Sequence, residues 1–417
     1  MAQLSDDCFA FGGPMMTVAE AGSLIRERLQ PLGESEIVAI EEADGRILAE
    51  DLAAPLDLPP FANSAVDGYA INGASIPREG ETTLTISTRI QAGTAPGRLG
   101  SGSAARIFTG APMPDDADTV YMQEDVRLEG RDQVCLPAGL KRGANTRPAG
   151  EDVARGRTIL FAGRRLRPQD IALAAAFGLT HLSVRARVRV AVFSTGNELV
   201  EPGETRGHAQ AYDSNRAMLV AMARRLGAKI TDLGILRDDP AVIAAALSEA
   251  AQEHDLILTS GGVSTGEADF VKEAVEETGS LTAWRIAIKP GRPVAMGVVS
   301  GTPLIGLPGN PVASFVTFAH VARPAILALG GGEIPSTLAF PLRAAFAYRK
   351  KKDRREYVRA SLSTGADGLP EAAKFPREGA GLISSLVGTN GLVELPEDVT
   401  EVAEGDIVAF IPYETLF

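Results

Sequence analysis

Between residues 188 and 329 the chain alternates short β-branched runs with helix-length amphipathic stretches, and this alternation narrows the possible folds more than any other feature. Val188 to Phe193, Ile230 to Leu236, Asp255 to Ser260 and Trp284 to Ile288 read as strands. Between them, one stretch capped by Asp213 and Ser214 runs to Leu226 and stops at Gly227, and a second opens on Pro240 and runs to about His254. A third covers Phe270 to Thr278. A strand followed by a helix of this length returns through a right-handed crossover to a parallel neighbour, which predicts a mainly parallel sheet with helices on both faces. Val294 to Val299 and Pro303 to Leu307 are joined by Ser300-Gly301-Thr302, a hairpin signal that makes the sheet mixed at one edge. Pro311 then opens a long helix to about Leu329.

A chain of 417 residues outgrows one hydrophobic core, so two to four domains are expected. Thr17 to Leu29 has helical spacing with a capping box at Thr17 and Glu20, stopped by Pro31. From Pro55 to about Arg147, runs such as Thr83-Leu84-Thr85-Ile86-Ser87 are broken by Gly and Pro every few residues, the pattern of a small β-rich domain. Leu166 to Leu179 is helical again, with Pro168 at its start and Gly178 at its end, so the β-rich piece is an insertion. After Gly330-Gly331-Gly332 the chain turns strand-rich, a β-barrel or sandwich in which the basic run Arg349 to Arg355 reads as a solvated hairpin. The expected fold is α/β multidomain: a central three-layer α/β/α domain (186–332), an N-terminal α+β domain (1–54 and 148–185), an inserted β-rich domain (55–147) and a C-terminal β-barrel-like domain (333–417).

Several function classes are disfavoured. A net charge of −12 argues against a nucleic-acid partner, which calls for a basic face. Cys8 and Cys135 have no metal-ligand spacing, so reduced thiols in a reducing, cytoplasmic compartment are expected. Met1 to Gly13 lacks the basic and apolar regions of a signal peptide, and the run Ile171 to Leu179 is about half the ~20 residues a membrane-spanning helix needs. No membrane association is expected.

In open α/β sheets ligands sit outside the carboxyl ends of the strands, so the residues after each strand locate the site. After the first strand come Ser194-Thr195-Gly196-Asn197-Glu198, and after the second Arg237-Asp238-Asp239-Pro240. The third leads into Ser260-Gly261-Gly262-Val263-Ser264-Thr265-Gly266-Glu267-Ala268-Asp269, and the fourth into Lys289-Pro290-Gly291-Arg292-Pro293. Pro308-Gly309-Asn310-Pro311 follows the hairpin at a helix N-terminus. Glycines let backbone N–H groups approach a phosphate, helix N-termini add positive potential, and Lys289 and Arg292 supply full charges. Glu198, Asp238 and Asp269 beside a phosphate call for a cation between them, and magnesium suits an all-oxygen set.

Each loop alone has a plainer reading: Gly-Gly as a turn, Asp238-Asp239-Pro240 as an N-cap, Glu198 and Lys289 as solvated surface residues. No Walker-type loop and no dinucleotide fingerprint is present. Pro59 to Ala70 and Phe108 to Pro114 in the insertion read, on their chemistry alone, as a pair of hairpin turns.

In order along the chain stand N-S-A-V-D-G-Y-A at Asn63 to Ala70, T-G-A-P-M-P at Thr109 to Pro114, and G-E-D at Gly150 to Asp152. S-T-G-N-E-L at Ser194 to Leu199, Y-D-S-N at Tyr212 to Asn215 and S-G-G-V-S-T-G-E-A-D from Ser260 follow. I-K-P-G-R-P at Ile288 to Pro293 and L-P-G-N-P-V at Leu307 to Val312 complete the set. Through these motifs essentially the whole chain resembles the molybdopterin molybdenumtransferases, the family that includes the C-terminal part of gephyrin. The resemblance implies a four-part subunit in an elongated homodimer, with the active site shared between the α/β domain of one subunit and the inserted domain of the other. The implied reaction cleaves the phosphoanhydride of adenylylated molybdopterin, with Mg²⁺ and with molybdate as co-substrate, releasing AMP and the molybdenum cofactor.

Carried over by position, the implied catalytic residues are Asp67, Thr109, Glu198, Asp238, Asp269 and Lys289, with Glu198, Asp238 and Asp269 as metal ligands. The implied substrate contacts are Arg147, Asp152, Ser194, Thr195, Gly196, Ser260, Gly261, Gly262, Ser264, Gly266, Arg285, Arg292, Pro308, Gly309 and Asn310. Arg285 stands where relatives often carry Lys, and Ala380 where they often carry Ser. Two other readings stay open: an adenylyltransferase of molybdopterin, which would not need the inserted domain, and a non-catalytic scaffold, which would not need to gather carboxylates at the strand ends.

Overall fold

The computed structural model describes residues 4–5, 8–9, 15–262, 270–276 and 279–417. Its central sheet has six strands: β1 (Arg189–Thr195), β2 (Lys229–Leu236), β3 (Leu256–Ser260), β4 (Gly279–Arg285), β5 (Pro293–Val299) and β6 (Thr302–Leu307). They lie in the order β2-β1-β3-β6-β5-β4. β2, β1, β3 and β6 are mutually parallel, while β5 runs antiparallel to both β6 and β4. Helices α1 (Asn215–Arg225), α2 (Pro240–Glu253), α3 (Phe270–Glu276) and α4 (Pro311–Leu329) complete the layers.

Side-chain alternation along the strands builds two cores. Val190, Val192, Leu256, Leu258, Ile305 and Leu307 pack with α1, α4 and the N-terminal helix Val18–Arg28 on one face. Ala191, Phe193, Ile257 and Leu304 pack with α2 and α3 on the other. α4 is long and apolar enough to cross a membrane by length and composition, yet 89% of its apolar window is buried against the sheet. That burial is what a core helix of a three-layer domain requires.

Local signals act as expected at most ends. Thr17 and Glu20 form a reciprocal capping box, with Glu20 N–H donating to Thr17 Oγ1 at 3.1 Å and Thr17 N–H to Glu20 Oε2 at 2.7 Å. The fourth strand is different. It was expected at Trp284 to Ile288 but begins at Gly279, pairs antiparallel with β5, and ends at Arg285. Ile288 and Lys289 leave this sheet and pair in parallel with Arg355 and Glu356 of another.

On either side of the insertion, Ser35–Ala39 pairs with His181–Arg185 and Leu52–Ala53 with Thr158–Leu160, closing an α+β domain around Val38, Leu48, Leu166 and Leu182. The insertion carries its own six-stranded mixed sheet, from Gly68–Ile71 to Gln133–Pro137. In the C-terminal domain, Phe340–Ala344, Arg355–Thr364, Pro370–Lys374, Gly391–Leu395 and Ile407–Pro412 close into a five-stranded barrel. The basic run there is only partly solvated. Lys351 and Lys352 are exposed, but Lys350 is buried and donates to the carbonyls of Lys351, Arg354 and Glu397. Arg355 pairs with Glu394 and Glu397. The carboxylates that draw Arg355 inward lie about 40 residues away, outside any local pattern.

Candidate functional site

β1, β2, β3, β4 and β6 all end at one edge of the central sheet, as the register Ser194↔Ser260, Thr195↔Leu236, Ser260↔Leu307 and Arg285↔Pro293 requires. The strand order therefore lays out the loops in a row. Asp238 and then Ser194 to Glu198 occupy one end, Gly261 and Gly262 the middle, Pro308 to Asn310 next, and Lys289 to Arg292 the other end. Across four to five strand spacings, carboxylates and cations stand roughly 19–24 Å apart.

At the acidic end, the pair Asp238-Asp239 divides its work. Asp239 is the N-cap of α2, accepting from Ala241 N–H at 2.9 Å, so the N-cap reading holds for it alone. Asp238 turns to the neighbouring loop, where its Oδ2 accepts from Asn197 N–H at 2.9 Å. Glu198 is exposed and folds back over Gly196: a Cβ on Gly196 would lie 2.6 Å from Glu198 Oε2. Glu198 makes no ion pair among the described residues, and no three acidic, His or Cys side chains converge as a metal cluster there. Asp269, Ser264 and Gly266 lie outside the described residues. Behind this end, Arg216 is buried among Asp213, Glu201 and Asp232, donating to Asp213 Oδ2 at 2.9 Å. That cluster anchors the loop after β1 to α1 and β2.

In the middle, Gly261 and Gly262 have φ of +91° and +67°. A Cβ on Gly262 would come within 2.6 Å of both Thr195 Oγ1 and Val271 Cγ2, so only glycine fits this turn. Beneath it lies a residue that motif reading missed. Asn215, in the first turn of α1, donates through Nδ2 to Ser260 Oγ at 2.9 Å and to Gly309 O at 2.7 Å. It ties the third and fifth loops together. Its Oδ1 and the Ser194 Oγ are both sealed from solvent without a partner among the described residues, an acceptor and a donor left over at the floor of the row. The signal was present in Y-D-S-N, where Asp213 and Ser214 were read as caps and the next residue was passed over.

At the basic end the C-terminal barrel closes over the loops. Lys289, Pro308 and Asn310 line a cavity of about 320 Å³ together with Tyr348, Glu356, Arg359, Lys374, Arg377 and Ala380. Lys289 Nζ is not a free cation: it donates to Glu356 Oε2 and to Tyr348 Oη, both at 3.1 Å. Burial pushes the Glu356 carboxyl up, but hydrogen bonds from Tyr348, Lys289 and Arg354 outweigh it and hold the group below its usual range. Glu356 and Tyr348 escaped sequence reading because their contact with Lys289 spans about 60 residues or more. Arg292 is exposed and its side chain reaches the Met15 sulfur at 3.8 Å, and Arg285 is exposed at the end of β4. Ala380 contributes its carbonyl, which accepts from Val312 N–H at the start of α4 at 3.0 Å. That contact needs no side-chain hydroxyl.

The two unusual stretches of the insertion meet each other. Asn63–Ser64 pairs with Thr146–Arg147, and Ser64 N–H donates to Ala111 O. Asp67 Oδ1 accepts from both the N–H and the hydroxyl of Thr109, each at 2.8 Å. Those two bonds, with Arg106 nearby, hold the Asp67 carboxyl below its usual range. Arg147 and Asp152 are exposed on the adjoining loop. Within one chain, and among the described residues, no hydrogen bond or ion pair joins Asp67, Thr109, Arg147 or Asp152 to the strand-end groups.

Residues 16–178 match the MoeA N-terminal region (domain I and II), 191–328 a probable molybdopterin binding domain, and 341–413 the MoeA C-terminal region (domain IV). A molybdopterin molybdenumtransferase of Haemophilus influenzae is 35% identical over 404 residues, spanning 96% of this chain and 100% of the relative. Molybdopterin molybdenumtransferase 2 of Mycobacterium tuberculosis is 37% identical over 386 residues, covering 88% and 92%. The crystal structure of the molybdopterin biosynthesis moeA protein from Pyrococcus horikoshii superposes with a TM-score of 0.82 at 28% identity, over 96% of this chain and 100% of that one. With three family regions matched in order and a relative 35% identical over 96% of this chain, the chain belongs to the molybdopterin molybdenumtransferase family.

Proposed function

We propose that this transferase of molybdenum cofactor biosynthesis inserts molybdate into adenylylated molybdopterin by cleaving the pterin–AMP phosphoanhydride at the row of strand-end loops. The observation that carries this reading is the order along the row. Bare amides and helix N-termini stand in the middle, carboxylates on one side, and a cation-lined cavity on the other. An elongated substrate with its phosphates central suits that order: Gly262, Gly309 and Asn310 offer main-chain N–H groups to phosphate oxygens, while the Gly261 N–H is spent on the Leu307 carbonyl and fixes the turn, on strand ends held by Ser194, Thr195 and Ser260. Lys289, Arg359 and Lys374 face the cavity under the barrel, where a tetrahedral oxyanion such as molybdate fits. Arg285 and Arg292 extend the positive rim.

Mg²⁺ fits the other end. Glu198 carries a carboxylate with no ion-paired cation among the described residues, Asp238 has one oxygen unused by Asn197, and both are hard oxygen donors. These two residues, with Asp269, would hold the ion, which when bound would neutralise charge on the phosphoanhydride oxygens. The protein's own part is positioning: Gly196 lets Glu198 fold inward and Asn197 aims Asp238. Asp67 and Thr109, preorganised by two hydrogen bonds but unconnected to the row, are assigned to the site of the partner subunit in a homodimer, with Arg147 and Asp152 alongside. A cytoplasmic location accords with two buried thiols and no disulfide.

Incubating the purified protein with adenylylated molybdopterin, Mg²⁺ and molybdate should release AMP, and release should depend on molybdate. No AMP, or AMP independent of molybdate, sinks the assignment. Asp67→Asn should suppress turnover while the protein remains dimeric by light scattering; loss of the dimer would mark Asp67 as structural.

A further inference from the structure

On the inserted domain, the parallel strands Glu81–Ile90 and Ser103–Ile107 place Arg89 directly opposite Arg106 in the ladder. Like charges in such a position repel, so the pairing works against the fold. Both guanidiniums lie over the ring of Phe108, at 4.7 and 4.8 Å from its centre, and that of Arg106 also lies over Tyr69 at 5.0 Å. The aromatic faces hold the two cations side by side but bring no net charge to balance them.

No carboxylate closes the balance either. Arg98, Arg127 and Arg142 of the same domain each hold an acid: Asp116, Glu81 with Glu129, and Asp118. Arg89 and Arg106 form no ion pair among the described residues. Arg106 spends its Nη groups on the Gly68 carbonyl, at 3.1 Å, and on Gln123 Oε1. Arg89 is exposed, and its guanidinium donates no hydrogen bond among the described residues, so its whole fork is open. Arg106 does act on Asp67, but that carboxylate is engaged by the N–H and hydroxyl of Thr109, the residue after Phe108. Two adjacent cations therefore meet one carboxylate that is already occupied.

We propose that the Arg89–Arg106 pair binds a phosphate group of the substrate, beside Asp67 and Thr109, when the insertion of one subunit meets the strand-end row of the other. The identity of that substrate rests on the transferase reading above. A phosphate ester or anhydride carries the charge that two neighbouring guanidiniums lack, and the planar fork of Arg89 matches two of its oxygens. The bare amides of the row would then hold the phosphates from one side and the arginines from the other.

AMP is the probe, titrated calorimetrically into the full-length protein, with adenosine as the uncharged control. The wild type should bind AMP far more tightly than adenosine. Arg89→Met should weaken AMP binding about tenfold or more, and Phe108→Leu, which removes the aromatic platform, should act in the same direction. Arg89→Lys, a charge without the fork, should recover only part of the loss. Thermal unfolding supplies the contrast: Arg89→Met should melt at or above the wild type because it relieves the like-charge pair, whereas an arginine of structural value would lower the midpoint. The proposal is overturned if the wild type binds no AMP, if adenosine binds as tightly, or if Arg89→Met keeps the AMP affinity. It is also overturned if that variant loses the dimer by light scattering, which would make the pair an interface contact. If AMP binding depends on Arg89 in a protein that releases no AMP from adenylylated molybdopterin, the phosphate site stands and the transferase reading alone falls.

Discussion

The contact between Lys289 and Glu356 separates two roles for the lysine, and a double-mutant cycle reads both. The side chains meet at 3.1 Å, with that of Glu356 1% exposed and that of Lys289 43% exposed. At an effective dielectric of about 20, Coulomb attraction at that separation is about 5 kcal/mol. Water around the half-exposed ammonium and the side-chain entropy it gives up reduce the net coupling to about 1–2 kcal/mol. Arg354 and Tyr348 still hold Glu356 when Lys289 is gone, which limits the damage further. Urea unfolding of wild type, Lys289→Met, Glu356→Gln and the double variant should therefore give an interaction energy in that range. The functional readout is the KM for molybdate in the AMP-release assay. Lys289→Met should raise it, whereas Glu356→Gln, which releases the lysine from its counter-charge, should lower it about three- to tenfold, equivalent to roughly 1 kcal/mol. If Glu356→Gln leaves the KM unchanged and Lys289→Met alters only stability, Lys289 serves Glu356 and not the oxyanion, and the reasoning fails.

Two further outcomes follow from buried polar groups. Asn215→Leu should cost about 2–4 kcal/mol by stranding Ser260 Oγ and Gly309 O, and should raise the KM for adenylylated molybdopterin more than it lowers kcat; an effect confined to kcat would contradict its role as the tie between the two loops. His320 stacks on Tyr357 at 4.3 Å with its Nε2 unpartnered, and burial, with Arg355 and Arg323 adding, pulls its pKa down to about 3 from 6.5. The unfolded chain then takes up the proton first, so the stability this histidine supports is whole above about pH 6.5 and is lost progressively toward pH 3. At pH 5 the deficit is about 2 kcal/mol, and His320→Phe should shrink the difference between urea unfolding at pH 8 and pH 5 by that amount; an unchanged difference would mean the ring is solvated.

The central domain was legible because its determinants are local. Asp239 before Pro240, Gly227 after Leu226 and the alternation in β1 and β3 each act within a few residues. The strand-end row followed from the same logic, since a parallel sheet delivers every loop to one edge. What escaped was set by distant partners. The fourth strand was displaced because Ser280 and Thr282 interrupt the apolar run, while Ile288 and Lys289, which continue it, belong to the barrel. Lys350 was read as solvated because its acceptors are three backbone carbonyls, and sequence composition carries no trace of where a carbonyl points.

The two-residue pairing of Ile288 and Lys289 with Arg355 and Glu356 has a mechanical meaning. One face of that short ladder belongs to the last sheet of the chain, and its residues continue directly into the turn that carries Pro290 and Arg292. A torque on the barrel is therefore delivered to the cation end of the row through peptide hydrogen bonds, not through a flexible tether. Severing the chain after Leu329 would leave Lys289 without its ladder and Glu356, and the loop would lose its fixed height above the sheet. The last domain is in this sense a wall of the pocket, and a protein lacking it would keep the parallel strands but not the chamber at their end.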